Sequence, residues 1–168
     1  MAEPTPAQPR STYPVPLPTV ARWVRRVIGF PAVLPPLIGR ERELAALCDL
    51  VRRSERRLIT VTGPGGVGKT RLALAVAAEI EAEFADGTTF VPLAAIGSPA
   101  LVLPAIAQAL DVRETPERSL LDAIVATLRE RRVLLVLDNF EHVVDAAADV
   151  FAMLEACPRV TVLVTSRT

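Results

Sequence analysis

Residues 58–70 read LITVTGPGGVGKT, and this stretch decides the fold of the chain. The first five residues are apolar or β-branched, as in a strand buried in a sheet. The next eight match the phosphate-binding loop, in which a Gly is followed by four free positions and then by Gly-Lys-Thr. Its glycines allow positive φ and bring backbone N–H groups close to phosphate oxygens. The strong helix formers that follow complete the required context, so we expect a nucleotide site here.

The polar residues of this loop predict particular contacts with the nucleotide. Lys69 would bring a positive charge to the β- and γ-phosphates, and the Thr70 hydroxyl would coordinate Mg²⁺. The helix that starts at the loop would add its positive N-terminal dipole. The predicted nucleotide-binding segment is made of Gly63, Pro64, Gly65, Gly66, Val67, Gly68, Lys69, Thr70 and Arg71.

The composition is that of one globular domain with a buried core. The chain has 168 residues, of which 51% are hydrophobic, and a mean hydropathy of +0.36. Its 19 basic residues balance 19 acidic ones, so we expect no direct DNA binding. No apolar run approaches the roughly 18 to 20 residues needed to cross a bilayer. We therefore expect no contact with a membrane. Cys48 and Cys157 lack metal-ligand spacing, which favours reduced thiols in a cytoplasmic protein.

Two regions differ in their content of proline. Nine of the 15 prolines lie within residues 1–36, which predicts a disordered, polyproline-like leader. Within it, residues 19–28 could form a short basic helix carrying Trp23, either as a docking element or as part of a tether. Residues 37–168 form the predicted P-loop NTPase domain.

Apolar segments alternate with helical segments along residues 37–168. Wholly apolar strands separated by helices are typical of a parallel sheet covered on both faces, so the fold class is α/β with three layers. The predicted helices span residues 41–57, 71–80, 98–110, 119–131 and 141–156. The predicted strands span residues 58–62, 88–93, 133–137 and 160–165.

A second part of the site is predicted after the third strand. Asp138 follows the apolar residues 133–137, which would deliver its carboxylate to the carboxyl edge of the sheet, where ligands collect. There it would hold Mg²⁺ together with Thr70, although an acid in this place could instead cap the next helix. Asn139 stands where hydrolytic enzymes often carry an acid, and an amide cannot accept a proton.

Two further charged residues complete the predicted catalytic set of Lys69, Asp138, Glu141 and Arg167. Glu141 could orient the attacking water in place of Asn139, or it could simply sit favourably in the first turn of a helix. Arg167 follows the fourth strand, so the same sheet edge would carry its guanidinium toward the terminal phosphate.

Four blocks occur in an order that resembles a known family: LIGRERE at 37–43, the P-loop, LLVLDNFEH at 134–142 and VLVTSR at 162–167. The chain resembles the STAND class of signal-transduction ATPases, close to the NB-ARC group and to the AAA-like ATP-binding domains of large bacterial transcriptional regulators. The resemblance implies that Gly39 and Arg40 help to hold the nucleotide and that Arg167 senses the γ-phosphate. It also implies ATP or ADP, with Mg²⁺, as the ligand.

The resemblance further implies modules that residues 37–168 do not supply. Members of the class continue into a fifth strand, a small helical region and a winged-helix region, and regulators carry a DNA-binding module at one end. We therefore expect this chain to act with protein partners or with such modules. We therefore expect a sheet that is truncated after the fourth core strand, with the edge of strand one unpaired.

The leading functional prediction is an ATP/ADP-binding module of a signalling or transcription-regulating ATPase. Because Asn139 replaces the second acid of many NB-ARC proteins, we expect slow hydrolysis or none, and the sequence leaves open whether the chain is a Mg-dependent ATPase. One alternative is a non-catalytic module that pairs with full-length relatives through its open edge. A small P-loop kinase is a further alternative, but no arginine-rich lid segment supports it.

Overall fold

The computed structural model describes residues 37–53 and 55–167. The predicted leader, residues 1–36, and the short basic helix within it lie outside the described residues. Within the described ranges, no helix combines the length and the apolar character needed to span a membrane.

The centre of the molecule is a four-stranded sheet in which every neighbouring pair is parallel. The strand order is β1-β4-β3-β2, so β1, which leads into the P-loop, lies beside β4. The strands are β1 (Leu58–Thr62), β2 (Thr88–Pro92), β3 (Leu134–Asp138) and β4 (Thr161–Ser166). The helices are α1 (Glu41–Arg52), α2 (Lys69–Glu79), α3 (Val102–Ala109), α4 (Leu120–Leu128) and α5 (Ala147–Ala156).

Two apolar clusters fill the space on the two faces of the sheet. Helices α1 and α2 pack on one face, where Val136 and Leu163 are fully buried. Helices α3, α4 and α5 pack on the other, where Leu135 and Val162 are fully buried. Side chains of a strand alternate between faces, so wholly apolar strands are explained by burial on both sides. The predicted α/β, three-layer, parallel fold is confirmed.

The first helix is shorter than predicted, since α1 ends at Arg52 rather than at residue 57. Val51 is its last buried residue, and Arg53 already has an extended backbone. Arg57 instead donates hydrogen bonds to the carbonyl oxygens of Leu154 and Cys157, at the C-terminal end of α5. The Leu154 carbonyl lies in the last turn of α5, where helix carbonyls lack N–H partners, and the Cys157 carbonyl also accepts the backbone N–H of Val160. The capping of these groups by the Arg57 side chain requires the chain to leave the helical path.

The predicted helix over residues 141–156 was wrong in its first part. Residues Phe140–His142 and Val144–Ala146 form two 3₁₀ turns, and α5 begins only at Ala147. Phe140, Val143 and Ala146 are all buried, at intervals of three residues. A 3₁₀ helix has three residues per turn and aligns side chains at this spacing, whereas an α-helix would spread them over about a third of its circumference.

Two other helices start or end differently from the prediction. Residues Pro99–Leu101 form a 3₁₀ turn before α3, and Ser98 makes no side-chain capping bond. The predicted cap at Ser119 is confirmed, because its Oγ accepts the backbone N–H of Asp122 at 3.2 Å. Helix α4 then ends at Leu128 instead of residue 131.

Candidate P-loop site

The P-loop connects the end of β1 to the start of α2, as the sequence predicted. Gly66 and Gly68 have φ values of +79° and +82°, a conformation that residues with a Cβ rarely adopt. Gly68 is also the residue that caps α2, so the loop turns directly into the N-terminus of this helix. The N-terminus of α2, whose first N–H groups have no acceptor within the helix itself, therefore lies at the loop, where it can bind an anion.

Lys69 is the charged residue that closes the loop. Its Nζ donates hydrogen bonds to the carbonyl oxygens of Gly63 at 2.7 Å and of Pro64 at 2.9 Å. The residue is only 8% exposed, and no carboxylate lies within ion-pair distance of it among the described residues. Lys69 therefore has donors at the N-terminus of α2 that an anion bound at the loop could use in place of the two carbonyl oxygens.

Thr70 and Asp138, the two predicted metal ligands, are in direct contact. The Thr70 hydroxyl donates a hydrogen bond of 2.8 Å to Oδ1 of Asp138. Asp138 is the last residue of β3 and is 5% exposed, since the buried strand carries it to the sheet edge. The contact joins the loop after β1 to the tip of β3, across the intervening strand β4.

Thr165 belongs to this site and was not among the predicted site residues. Its hydroxyl donates to Oδ1 of Asp138 and accepts the backbone N–H of Asn139 at 3.0 Å. The side chain is almost fully buried, at 1% exposure. A threonine near the end of an apolar strand is the only signal the sequence offers, and that signal is common in strands.

Asn139 has a structural reason to be an amide. Its backbone is left-handed, with φ +63°, where Asn is enriched over other non-glycine residues. Its Nδ2 donates to Oε1 of Glu141 at 3.4 Å. This conformation ends β3 and starts the first 3₁₀ turn, which places Glu141 beside the sheet edge.

The Gly39-Arg40 segment contacts the P-loop directly. Arg40 Nη1 donates to the carbonyl oxygen of Val67 at 2.7 Å, and a Cβ added to Gly68 would lie 3.6 Å from the same nitrogen. Arg40 Nε also bonds Oε1 of Glu43 at 3.0 Å. The contact is made to the backbone of the loop, so Arg40 supports the shape of the loop from outside.

Glu141 and Arg167 are brought together, at the tips of neighbouring strands. Arg167 Nε lies 3.1 Å from Oε1 of Glu141, and His142 Nε2 lies 3.7 Å from the same oxygen. Burial raises the pKa of Glu141. Hydrogen bonds from the backbone N–H groups of Glu141 and Arg167 and from the Asn139 amide, together with the nearby His142, lower it by more, so the pKa is below the ordinary value. The carboxylate is therefore ionised at neutral pH. Within residues 37–53 and 55–167, no ion pair joins Arg167 to Asp138.

The remaining predicted site residues are on the loop surface. Pro64, Gly65 and Val67 are exposed along the loop, and the Arg71 side chain is exposed at the first turn of α2. In the described part of the chain, no group of three or more His, Cys, Asp or Glu could hold a metal ion. A metal at this site would have few protein ligands, as is usual for Mg²⁺ held by one or two side chains, phosphates and water.

Comparison with known proteins agrees with this architecture. A family model described as an AAA domain matches residues 52–166. The chain belongs to the AAA domain family. The match covers the P-loop, Asp138 and Thr165, but it begins after Arg40 and ends before Arg167.

Several curated bacterial proteins are similar to this AAA domain. An uncharacterised protein of Mycobacterium tuberculosis is 40% identical over 134 residues, which are 79% of this chain and 34% of that protein. A putative HTH-type transcriptional regulator of the same organism is 45% identical over 115 residues, covering 68% of this chain and 13% of the regulator. The regulatory protein AfsR of Streptomyces griseus is 34% identical over 148 residues, covering 82% and 15%. The AAA domain thus spans about a third or less of the length of these relatives.

Solved structures share the fold of this AAA domain. Cdc6p from Pyrobaculum aerophilum superposes with a TM-score of 0.62 at 20% identity, over 83% of this chain and 42% of that chain. The ORC2 protein of Aeropyrum pernix superposes with a TM-score of 0.64 at 18% identity, over 80% and 43%. At these identities the likeness shows the fold alone.

Proposed function

We propose that this AAA domain binds ATP or ADP together with Mg²⁺ at the P-loop. The observation that carries the proposal is that Lys69, buried with no carboxylate partner among the described residues, lies next to the Thr70–Asp138 hydrogen bond. A buried positive charge at the N-terminus of α2, next to a hydroxyl and a carboxylate, matches the chemistry of a phosphate chain with its cation. The Aeropyrum pernix structure is described as a complex with ADPNP and ADP, which supports a nucleotide as the ligand for this fold.

The roles of the site residues follow from their positions. Lys69 would exchange its bonds to loop carbonyls for phosphate oxygens, since an ammonium has three donors and moves on a flexible stem. The Thr70 hydroxyl and the Asp138 carboxylate fit Mg²⁺, which prefers oxygen ligands and here would balance phosphate charge. Arg40 would keep the loop in shape through the Val67 carbonyl, and Arg167 would reach the terminal phosphate.

We propose a regulatory role rather than rapid turnover. The similar proteins include transcriptional regulators, which supports a module that responds to its nucleotide within a STAND-type regulator. Asn139 cannot accept a proton, so no acid stands directly after Asp138 to orient the attacking water. Hydrolysis by residues 37–167 would therefore be slow.

The test is a titration of the purified chain with fluorescent ADP and ATP, with and without Mg²⁺. We expect saturable binding that Lys69→Ala abolishes, and binding of ATP that is tighter with Mg²⁺ than without it. Arg42→Ala is the control, because Arg42 is exposed and lies two residues from Arg40 on the outer side of α1. A wild-type chain that binds neither nucleotide, while showing a cooperative unfolding transition, would refute the proposal.

A second candidate function rests on the edge of the sheet. In the described ranges β1 pairs only with β4, and an apolar groove of about 200 Å³ lies along the two strands beside α5. Val144 and Phe151, at 58% and 54% exposure, line this groove. Exposed apolar groups beside a free strand edge favour a module that pairs with relatives of the chain. If the chain pairs through this groove, light scattering should give a molar mass above that of one chain for the wild type and a lower molar mass for Phe151→Asp.

A further inference from the structure

The Glu141 carboxylate contacts polar side chains at the ends of β3 and β4. Its Oε1 contacts Arg167 Nε at 3.1 Å and Asn139 Nδ2 at 3.4 Å. The Glu141 side chain is 11% exposed, whereas the Arg167 side chain is 60% exposed. The acid is therefore fixed in the protein, and the arginine is the partner that can move.

The other oxygen of this carboxylate, Oε2, is buried and has no hydrogen-bond partner of normal geometry among the described residues. A buried, ionised carboxylate depends strongly on the charges that remain near it. The Glu141 carboxylate therefore competes with any other anion for the guanidinium of Arg167.

Strand register places Arg167 next to the P-loop. In the parallel pair of β1 and β4, Thr62 is the partner of Ser166. The next residues along the two strands are Gly63 and Arg167, and neighbouring strands lie about 4.8 Å apart. The carbonyl oxygen of Gly63 is one of the two that Lys69 Nζ contacts. Arg167 thus leaves the sheet beside the base of the loop, within reach of an anion bound there.

We propose that Glu141 sets the preference of the site between nucleoside diphosphate and triphosphate by competing with the terminal phosphate for Arg167. The inference rests on the proposed nucleotide binding and adds a specificity-determining residue to it. A diphosphate leaves the Glu141–Arg167 ion pair in place. A triphosphate gains the guanidinium only when that pair opens, which leaves a largely buried carboxylate without its cation. Glu141 therefore lowers the affinity for ATP and leaves the affinity for ADP unchanged.

This role differs from that of a general base, which would orient water during hydrolysis. A base acts on water and needs no arginine, so its removal would slow turnover whether or not Arg167 is present. A competitor acts only through Arg167. The dependence of the Glu141 effect on Arg167 therefore separates the two roles.

The experiment measures the dissociation constants of ADP and of the non-hydrolysable analogue ADPNP, both with Mg²⁺. Four forms of the chain are compared: wild type, Glu141→Gln, Arg167→Gln and the double variant. We expect Glu141→Gln to tighten ADPNP binding about two- to five-fold, the range expected for an exposed ion-pair coupling, and to leave ADP binding within error. Arg167→Gln should weaken ADPNP alone. Glu141→Gln should have no further effect in the Arg167→Gln background.

Asp145→Asn is the matched control for a general loss of negative charge. Asp145 is an exposed acid in the second 3₁₀ turn, four residues from Glu141, and no ion pair of the described residues includes it. An equal tightening by Asp145→Asn, or a Glu141→Gln effect that persists without Arg167, would overturn the inference. An unchanged ADPNP-to-ADP ratio in a Glu141→Gln chain that binds both nucleotides would overturn it as well. A wild-type chain that binds neither nucleotide would overturn the proposed function and this inference together.

Discussion

Thr165 donates a hydrogen bond from its hydroxyl to Oδ1 of Asp138, the oxygen that also accepts the hydroxyl of Thr70. The same Thr165 oxygen accepts the backbone N–H of Asn139 at 3.0 Å. One buried hydroxyl therefore fixes the acid of β3, the left-handed residue that follows it and the tip of β4 in a single network. Since the hydroxyls of Thr70 and Thr165 both donate to Oδ1, the network also orients the Asp138 carboxylate toward the P-loop.

Replacement of this hydroxyl gives the first prediction. Thr165→Val keeps the volume of the side chain but leaves the Asn139 N–H unpaired and removes one donor from Asp138. We expect a loss of about 1 to 3 kcal/mol in the free energy of unfolding, because a buried polar group without a partner loses its solvation without compensation. Urea denaturation, followed by circular dichroism, measures the change.

Thr88→Val is the matched control for Thr165→Val. Thr88 is also a buried strand threonine, at 5% exposure, but its Oγ1 has no hydrogen-bond partner among the described residues. Removing an unpaired hydroxyl should leave the stability unchanged or raise it. If the two variants lose the same stability, the hydrogen bonds of Thr165 do not contribute as described.

The fold could be predicted from local patterns because each strand is short, apolar and followed by a recognisable helix or loop. β1 and its P-loop were predicted at the correct residues, and the parallel sheet with two covered faces followed from the apolar strands. The segment 140–146 could not be predicted in this way. Phe140, Val143 and Ala146 fit an α-helical pattern nearly as well as a 3₁₀ pattern, and only packing against the core decides between them.

The site shows the same division between local and tertiary information. The loop motif predicts Lys69 and Thr70 as site residues, and an acid after a buried strand predicts Asp138, because each of these signals lies within a few residues of sequence. The contacts of Thr165 with Asp138 and of Arg167 with Glu141 join residues 27 and 26 positions apart. Such pairs follow from strand order and register, which the sequence of a single strand does not contain.

The second prediction concerns the cap on α5. Arg57 Nη1 donates to the carbonyl oxygen of Leu154, in the last turn of α5, and to that of Cys157, which also accepts the backbone N–H of Val160. Arg57→Met preserves the aliphatic stem and removes these donors, so we expect a loss of about 1 to 2 kcal/mol in the free energy of unfolding. Arg56→Met, at the neighbouring exposed position, should change the stability by less than about 0.5 kcal/mol. Equal losses in the two variants would show that the loss of a basic charge, and not of the cap, is responsible.

The third prediction concerns the two cysteines. Cys48 and Cys157 are free thiols at 2% and 0% exposure, and burial raises the pKa of both. In the folded chain at pH 8, both should react slowly with Ellman's reagent, and both should react rapidly once urea unfolds the chain. Rapid reaction of the folded wild type would contradict their burial.

The same thiols predict how stability depends on alkaline pH. Because their pKa values are higher in the folded chain than in the unfolded chain, the unfolded state releases thiol protons first as the pH rises. The thiol contribution to stability should therefore be complete below the ordinary cysteine pKa and should decrease above it. Urea midpoints measured at pH 7.5 and pH 9.5 test this, with a Cys48→Ala/Cys157→Ala chain as the control that should show a smaller decrease.

The last prediction separates the two contacts of Arg40. This arginine bonds the Val67 carbonyl oxygen on the P-loop at 2.7 Å and the Glu43 carboxylate on its own helix at 3.0 Å. Arg40→Ala removes both contacts, and we expect it to weaken nucleotide binding about five-fold, or about 1 kcal/mol, the net contribution of one typical hydrogen bond that holds the loop in shape. Glu43→Ala removes only the exposed ion pair, which contributes little, so it should bind nucleotide as the wild type does. Titration of both variants with ADP distinguishes the contacts: equal weakening would assign the effect to the ion pair, and no weakening in either variant would show that the loop keeps its shape without Arg40.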